Sequence, residues 1–480
     1  MDGGLLPDEP VLRTDRIQGN VLAGFLTDQQ LHVGFKIADG ARARSWLAGQ
    51  AEKLATVDDV LAQRAQMKER RFVDQPGGVW ANLALSHAAL RTLGAPSNFL
   101  DDSFAKGLAT RARSLGDRDP DPSRWIVGGN VRRLDVLLIL GGEPDRLVAH
   151  ADELTRSAVA AGLEESYREL GSTVPGRGVE HFGFRDGISQ PGILGRLLDG
   201  KPLTERPVVE GGPTPEAGRG QPLIWPGQFA FGYPHQNPAT PRFPGHPAAG
   251  GRDEETKAFA TDGSLLVFRR LAQDVPAFKA FLDQQAAELR AAGFSEVTPH
   301  RVGAQLVGRW PSGAPLDLAP DADNQELAKS NAFDFSADID GLRCPLAAHI
   351  RKVNPRGGQS DRANPLQTRI LRRGIPYGPF ADEEDPQPAE RGLLFLCYQT
   401  SIVEQFEFLT RVWMNSAAAP APGGHDLLVG QPPGCERTMT LRNPGTEGSH
   451  ELRTAIPWIT PTGGEYLFAP SKPALASLAA

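Results

Sequence analysis

An aspartate between two glycines is the first place in this sequence where residue type and spacing suggest chemistry. Asp186 lies in HFGFRDGISQP (residues 181–191), between Gly183 and Gly187. A carboxylate that the fold places in a pocket can take up a proton and release it over a short distance. An Asp-Gly pair is also common in tight turns, because glycine accepts positive φ and the Asp side chain can bond to nearby backbone. The segment alone is compatible with both interpretations.

A second candidate is His349, which lies in PLAAHIRKVNPR (residues 345–356). The two alanines before it would let a flat ligand approach the start of a short helix, and Asn354 followed by Pro355 would end that helix. The cations after it could neutralise carboxylates at the edge of the ligand. The pattern is compatible with a haem pocket in which His349 binds the iron, and also with a buried structural histidine beside solvated basic residues.

Two further segments carry candidate residues. In RILRRGIPYG (residues 369–378), three arginines accompany a Gly-Ile-Pro-Tyr-Gly turn, and a buried arginine needs an anion because its guanidinium stays charged. In RGLLFLCYQ (residues 391–399), Leu393 and Phe395 lie on one face of an apolar strand and could cover a ligand. The first segment could equally be an exposed basic strand, and the second an ordinary core strand.

In combination, these four segments resemble one family, the dye-decolorising peroxidases. A fifth segment, IQGNVLAGF (residues 17–25), precedes them, and all five occur in the family's order and span most of the chain. The length and the long loops resemble the larger members of the family. The resemblance implies a peroxidase with haem b (iron protoporphyrin IX) that uses hydrogen peroxide to oxidise dyes, phenols and similar one-electron donors.

The resemblance also implies roles for individual residues. His349 would be the proximal iron ligand, and Asp426 in GGHDLLVG would be the acceptor that orients its imidazole. On the distal side, Asp186 would act as acid and base, and an arginine would stabilise the developing charge. The register of the Gly-Ile-Pro-Tyr-Gly turn selects Arg372 for this role, with Arg369 and Arg373 as the alternatives. The residues expected to contact the rest of the haem are Gly187 by close backbone approach, Leu393 and Phe395 over the distal face, and Arg356 at a propionate.

Donors too large for such a pocket would need electron transfer through a tryptophan or a tyrosine. Trp413, Tyr377 and Tyr398 are the first candidates, because they are near the pocket segments in the sequence. Two other classes of function stay open. A haem carrier or sensor with little turnover would not need both Asp186 and Arg372, and an α+β binding protein without haem would be colourless.

The elements that would position these residues follow a repeated pattern. A short apolar run with β propensity precedes a segment of helical periodicity at residues 31–37, 134–141, 264–271 and 393–399. The long spacers between these pairs argue against simple βαβ winding and favour two tandem β-α-β-β-α-β units. We therefore expect an α+β fold of two ferredoxin-like domains, each with an antiparallel sheet and helices.

The expected domain division is at residues 1–215 and 216–480, and the resemblance implies that haem is held mainly by the second domain. Between the halves, residues 192–262 are rich in proline and glycine, which predicts a long excursion without regular structure. Its expected anchors are aromatic residues, namely Trp225, Phe229, Phe231 and Tyr233. The final residues, APSKPALASLAA, predict a flexible tail.

Composition and charge exclude several classes of protein. A formal net charge of -7 argues against nucleic acid as the main partner, since that would require a concentrated basic face. No apolar run has the length of a membrane span, and the amino terminus lacks a secretory pattern, so we expect a cytoplasmic protein without membrane partners. Three widely spaced cysteines argue against a disulfide framework and against a Cys-based metal site. The sequence does not indicate the oligomeric state.

Overall fold

Apolar strands from both halves of the chain form one continuous antiparallel sheet. In the first half the strands are β1 (Gln29–Ile37), β2 (Val79–Ser86), β3 (Val136–Gly142) and β4 (Leu163–Ser172), in the spatial order β4-β1-β3-β2. Helix α1 (Gly40–Gln50) follows β1 and helix α2 (Pro144–Ala160) follows β3. This is the β-α-β-β-α-β unit expected from the sequence, and that prediction is confirmed.

The computed structural model describes residues 5–68, 78–118, 121–173, 178–206, 216–218, 220–237, 243–294, 297–357, 360, 365–380, 390–434, 436–442 and 448–479. The expected boundary at residues 215 and 216 adjoins a segment, 207–215, outside the described residues, so the domain division stays a prediction. Cys435 also lies outside them. Cys344 and Cys397 are buried free thiols. No helix of the described residues is long and apolar enough to cross a membrane.

The second half repeats the arrangement with its own strands. They are β5 (Ser264–Gln273), β6 (Leu371–Arg372), β7 (Ile375–Tyr377), β8 (Gly392–Gln399) and β9 (Ile459–Ala469). Strand β5 lies between β8 and β9, and β6 and β7 pair with β8. Helix α3 (Val275–Ala291) follows β5 as the pattern predicts, with Pro276 at its first turn and the Asp274 carboxylate accepting from Ala277 N.

Two seams join the halves into a closed barrel. Strand β9 pairs with β2, where Leu467 lies opposite Ser86, and β7 pairs with β4, where Tyr377 lies opposite Gly171. Closure pairs the strand edges that two separate sheets would leave open. Thus the sheets of the two ferredoxin-like units are joined edge to edge, which the local patterns along the chain do not indicate.

Alternation along the strands divides the core. Leu137 and Ile139 of β3 pack in one cluster with Leu394 and Leu396 of β8, inside the barrel. The opposite face of β3 packs against α1 and α2 in a second cluster. A third cluster surrounds α3 and the segments that carry the candidate residues of the second half. The candidate site therefore lies on the outer face of the barrel, between the sheet and the segments packed over the second half.

The remaining elements lie outside the main sheet and the three helices labelled above. The other α-helices are Gly19–Leu22, Val57–Lys68, His87–Thr92, Asp102–Lys106, Leu108–Leu115, Glu254–Ala260, Pro299–Val307, His349–Val353 and Lys472–Ala476. The 3₁₀ turns are Ala51–Lys53, Pro122–Arg124, Pro226–Gln228, Gln325–Leu327, Pro365–Thr368 and Ser477–Ala479. A helix with π-type hydrogen bonding covers Ile402–Glu407 and Leu409–Met414. The other short strands are Gly192–Ile193, Glu216–Gly218, Gln221–Ile224, Pro234–Gln236, Pro244–Pro247, Arg437–Arg442 and Ser449–Thr454.

Two expectations about irregular segments are wrong. The excursion at residues 192–262 contains short strands and the helix Glu254–Ala260, although its anchors Trp225, Phe229, Phe231 and Tyr233 are buried as expected. The carboxyl-terminal segment is not a free tail, because Leu475 and Leu478 are buried in the cluster that includes α1. Burial of these two leucines supplies the apolar contact that a polar, disordered tail lacks.

Candidate active site

A cavity of about 320 Å³ lies where the loop 180–191 meets the strands of the second half. Its volume is within the range of cofactor and small-molecule sites. Besides that loop, most of its lining comes from the second half, including residues of β5, β6, β8, β9, the π-type helix and the segment around His349. Asp186, Gly187, His349, Arg356, Arg372, Leu393 and Phe395 all line it. Segments that are far apart in sequence thus meet at one pocket.

His349 begins a short helix, His349–Val353, which ends immediately before Asn354 and Pro355 as the sequence predicts. The two alanines before it are fully buried, so no large side chain precedes the imidazole. His349 Nδ1 lies 2.7 Å from Asp426 Oδ2. The other carboxylate oxygen of Asp426 accepts the backbone N–H groups of Leu428 and Val429, at 3.0 and 3.1 Å. A carboxylate held in this way fixes the ring orientation and leaves Nε2 for a metal.

Asp186 and Arg372 face each other in the same cavity. Arg372 Nη1 lies 3.1 Å from Asp186 Oδ1, and the Gly187 N–H donates to the same oxygen at 2.6 Å. The Asp186 side chain is 42% exposed, and as a lining residue it is exposed toward the cavity. The pair therefore presents a carboxylate and a guanidinium to any molecule that enters.

The charge state of Asp186 follows from opposing effects. Burial raises its pKa, whereas the charge of Arg372 and the Gly187 N–H lower it, with a smaller lowering from His349. The lowering effects prevail, so the pKa of Asp186 lies below the ordinary value of an aspartate. Asp186 is consequently ionised at neutral pH and able to accept a proton.

Gln190 connects the two segments that carry this pair. Its Oε1 accepts the Arg372 N–H at 3.2 Å, and its Nε2 donates to the Arg372 carbonyl at 3.1 Å. The Gln190 amide thus pairs with the Arg372 backbone as a strand neighbour would, accepting one hydrogen bond and donating another. These two bonds fix the position of loop 180–191 relative to β6. The separation of Asp186 and Arg372 is therefore set by the fold.

Leu393 and Phe395 alternate along β8 with residues of the barrel interior and face the cavity. Phe395 also packs against Phe406 of the π-type helix, with ring centroids 6.1 Å apart. These side chains form an apolar wall beside the Asp186 and Arg372 pair. The cavity thus combines a few polar groups with an apolar surface, which is typical of cofactor sites.

Four arginines on the cavity wall form no ion pair with a carboxylate among the described residues. They are Arg185, Arg309, Arg356 and Arg369. Removal from water lowers the pKa of Arg356 to about 9 and the pKa values of Arg309 and Arg369 to about 10. The Nη atoms of Arg356 donate to oxygens of the surrounding loops, including Ser189 Oγ at 2.8 Å. Arg369 Nε has no hydrogen-bond partner within the described part of the chain.

The other cations after His349 do not face a ligand. Arg351 forms a buried ion pair with Asp338 at 2.9 Å, and Lys352 Nζ donates to the carbonyls of residues 416, 419 and 424. These contacts hold the His349 helix to neighbouring loops. Their role is structural, contrary to the interpretation that each cation after His349 neutralises a ligand.

The sequence interpretation did not single out Arg309 or Glu180 as cavity residues, and it considered Arg369 only as an alternative to Arg372, although all three line the cavity. Arg369 lies in the quoted arginine segment, whereas Arg309 carries no local signal. The structure also shows how exposed the three aromatic candidates for electron transfer are. Trp413, Tyr377 and Tyr398 are all buried, at 0, 2 and 1% exposure, so none of them can touch a bulky donor at the surface.

Comparison with known proteins gives an independent result. Residues 16–175 match the family described as DyP dimeric alpha+beta barrel domain, and residues 305–421 match Dyp-type peroxidase, C-terminal. Peroxidase 2 of Mycetinis scorodonius is 33% identical over 96% of this chain and 86% of its own length. Multifunctional dye peroxidase DyP2 of Amycolatopsis sp. is 30% identical over 98% of this chain and 97% of its own length.

A solved structure agrees with these matches. An ancestral D-type dye decolorizing peroxidase is 31% identical and superimposes with a TM-score of 0.79, covering 97% of this chain and 98% of that chain. The similarity extends over the barrel and over the segments that line the cavity. This chain therefore belongs to the family of dye-decolorizing peroxidases and is a peroxidase of that type.

Proposed function

We propose that the chain is a haem b peroxidase that reduces hydrogen peroxide and oxidises dyes, phenols and similar one-electron donors. One observation carries the proposal. A single cavity is lined both by a histidine hydrogen-bonded to a buried carboxylate and by an ionised aspartate paired with an arginine. A site that only stores haem has no need of the second pair, which argues against a carrier or sensor.

The residues around the cavity fit haem b. His349 offers one imidazole nitrogen to an iron, and the apolar wall of Leu393 and Phe395 suits a flat macrocycle. Arg309, Arg356 and Arg369 provide positive charge without a carboxylate partner among the described residues, and a dianionic group such as the two propionates would balance it. Arg369, whose Nε lacks a partner there, suits this role at least as well as Arg356.

Gly187 contributes through its backbone. Its φ is 75°, and a Cβ added there would meet no protein atom within 4 Å, so the space beyond it is open. Glycine is the residue that adopts this conformation without strain and adds no bulk toward the cavity. We assign it to close approach of the backbone to the haem face.

When bound, haem supplies a redox-active iron that exchanges electrons with peroxide and with the reducing substrate. The protein groups then have separate tasks. His349 holds the iron, while the Asp426 carboxylate fixes the imidazole and increases its electron donation. Asp186 takes a proton from one oxygen of hydrogen peroxide and returns it to the other. Arg372 keeps Asp186 ionised and stabilises negative charge on the departing oxygen.

The absorption spectrum of the purified protein tests the cofactor. We expect a Soret band that changes when one equivalent of hydrogen peroxide is added. His349→Ala should lose haem or lose this response, because the iron loses its protein ligand, and Asp186→Asn should keep haem but slow the response in stopped-flow measurements. Exchange of Asp340, an exposed residue paired with Arg442, for Asn is the control that should change neither.

The outcomes separate the candidate functions. A colourless protein would contradict the assignment of haem, and a Soret band that does not respond to peroxide would favour a carrier or sensor. An H349A variant that retains haem and full activity would exclude His349 as the ligand.

A further inference from the structure

We propose that Glu180 is a positioning residue for Asp186, and that the negative charge of Glu180 keeps Asp186 placed for its reaction with peroxide. The inference rests on the proposed role of Asp186. Glu180 lines the same cavity, six residues before Asp186 in the chain. Its side chain takes no direct part in the proton transfer assigned to Asp186.

The Glu180 carboxylate closes the loop that leads to Asp186. Its Oε2 accepts the Phe182 N–H at 2.9 Å, and its Oε1 accepts the Phe184 N–H at 3.0 Å. The Glu180 N–H in turn donates to the Phe184 carbonyl at 3.0 Å. Residues 180–184 are therefore held as a small ring, and Asp186 follows two residues after the last of these contacts.

The ring is attached to the protein on two sides. Phe182 is buried and packs against Phe278 of α3, with ring centroids 4.3 Å apart. On the other side, Gln273 Nε2 of β5 donates to Glu180 Oε2 at 2.7 Å. One carboxylate thus joins its own loop to the strand whose residue Leu271 lines the cavity. A shift of Glu180 would be transmitted directly to the position of Asp186.

This arrangement depends on the charge of Glu180. An ionised carboxylate can accept all three donors, whereas a protonated one carries an O–H that competes with them. Burial raises the pKa of Glu180 to about 7, against the lowering effect of its hydrogen bonds, and the charge of Asp186 adds to the rise. Below about pH 7, Glu180 is therefore protonated in the folded protein and the contacts are weakened.

The charged and titratable groups around Glu180 come from three elements. On its own loop they are His181, Arg185 and Asp186, and on β5 the charged lining residue is Arg269, which is paired with Asp117. The third element carries Arg391, whose carbonyl accepts a hydrogen bond from the Gln273 N–H. Burial lowers the pKa of His181, and the charge of Arg391 lowers it further. Within this set, Asp186 is the group whose charge raises the pKa of Glu180.

The test is Glu180→Gln in the haem-loaded protein, with the rate constant for hydrogen peroxide measured by stopped flow from about pH 6 to about pH 8. The wild-type constant should fall as the pH decreases through about 7. E180Q should be slower at the upper end by roughly tenfold or more, because displacement of a reacting group by ~1 Å can cost up to about 100-fold. The rate constant of E180Q should be independent of pH over the range measured.

Glu465 provides a matched control. Burial raises its pKa to about 7 as well, and its carboxylate also accepts backbone N–H groups, from Leu108 and Tyr466. It is not among the residues that line the cavity. Glu465→Gln should therefore leave the peroxide rate constant and its pH profile as in the wild type. If E465Q reproduces the effect of E180Q, a general effect on stability explains both and the proposal is wrong.

Two further measurements distinguish positioning from a merely structural role. In the Asp186→Asn background, E180Q should have no additional effect, since Glu180 acts through Asp186. In an infrared titration of the wild type, the band of a protonated carboxyl group should appear as the pH is lowered through about 7, and this band should be weaker in E180Q. An unchanged band, or an E180Q rate constant equal to that of the wild type, would overturn the inference. If D186N itself does not slow the reaction, it is the proposed role of Asp186 that fails.

Discussion

Arg372 affects Asp186 in two ways, through its charge and through its contact. Without the guanidinium at 3.1 Å, the pKa of Asp186 would be higher, because burial raises it and only the Gly187 N–H and His349 would oppose that effect. In the proposed function, the same guanidinium also stabilises negative charge on the departing oxygen of peroxide. Because one residue serves both purposes, its removal should change the pH dependence of the reaction as well as its rate.

We predict that Arg372→Leu shifts to higher pH the acid limb that Asp186 gives to the peroxide rate constant, a limb distinct from the fall near pH 7 assigned to Glu180. In the wild type the pKa of Asp186 is lowered, so its ionised form is lost only well below neutral pH. Removing Arg372 takes away the largest of the effects that lower the pKa of Asp186, so that pKa rises. The measurement is the stopped-flow rate constant as a function of pH.

Arg442→Leu is the control for this prediction, since Arg442 forms an exposed ion pair with Asp340 outside the cavity lining. An acid limb that R372L leaves in place would show that Arg372 does not set the charge of Asp186. If R372L slows the reaction much more than D186N does, the transfer of the proton depends more on arginine and water than on the carboxylate.

The turn around Gly187 illustrates how an element serves the site. The loop 180–191 contains an Asp-Gly turn with positive φ at Gly187, and on the sequence alone this turn required no ligand. In the structure, the same turn directs the Gly187 N–H to Asp186 and leaves open space beyond the Cα. The conformation of the turn and the proposed approach of the haem therefore make separate demands on this glycine.

These two demands can be separated with a pair of substitutions. Gly187→Ala should destabilise the protein by roughly 1–2 kcal/mol, the cost of a left-handed conformation for a residue with a Cβ, and should also slow the reaction with peroxide. Gly200→Ala is the matched control, because Gly200 has φ of 85° in an exposed turn, where an added Cβ would also meet no protein atom within 4 Å. Chemical denaturation and stopped flow measure the two effects.

We expect similar losses of stability for the two variants and a slower peroxide reaction for G187A alone. Equal peroxide rates would indicate that Gly187 serves only the turn. A slower reaction in G200A as well would indicate that both substitutions act through stability.

The closed barrel makes the two halves of the molecule depend on each other. Each half has the strand order of a ferredoxin-like unit, but its outer strands pair with those of the other half. The cluster inside the barrel contains residues from both halves. Stability is therefore shared, even though the cavity is lined largely by the second half.

We predict that Leu467→Ala, in β9 beside the seam with β2, lowers the stability of both halves together. Leu467 is fully buried inside the barrel, and removal of a buried leucine side chain costs about 2–5 kcal/mol. Far-UV and near-UV circular dichroism should report one coincident thermal transition at a lower temperature. Leu198→Ala, at an exposed leucine, should leave the transition where it is.

Separate transitions in L467A, one for each half, would contradict the view of the barrel as a single cooperative unit. They would support independent stability of the two domains expected from the sequence. The position of the domain boundary is a distinct question, which truncation near residues 215 and 216 would address.

The sequence carried much of the information about the candidate site. Asp186, His349 and Arg372 were each open to a structural interpretation on their residue types, and the order of their segments along the chain supplied the resemblance that implied a peroxidase site. Hydrophobic periodicity predicted the strand and helix units, because that signal depends on neighbouring residues. Asp426 was assigned through the resemblance of the chain to the family. Its contact with His349 joins residues 77 positions apart in the sequence. Such a contact depends on how loops pack, which local periodicity does not encode.

Burial and pairing required the complete fold. The three aromatic candidates, Trp413, Tyr377 and Tyr398, were chosen by proximity in sequence, but exposure depends on distant segments that cover them. The same applies to Glu180, whose charge depends on Gln273 and on burial in the cavity wall. In the closed barrel, Leu467 of β9 lies opposite Ser86 of β2. These two strands are far apart in the sequence, and no local pattern specifies that they pair. Residue types thus indicated which chemistry was available. Long-range packing determined which partners those residues contact, which charge they carry and whether they are exposed to solvent.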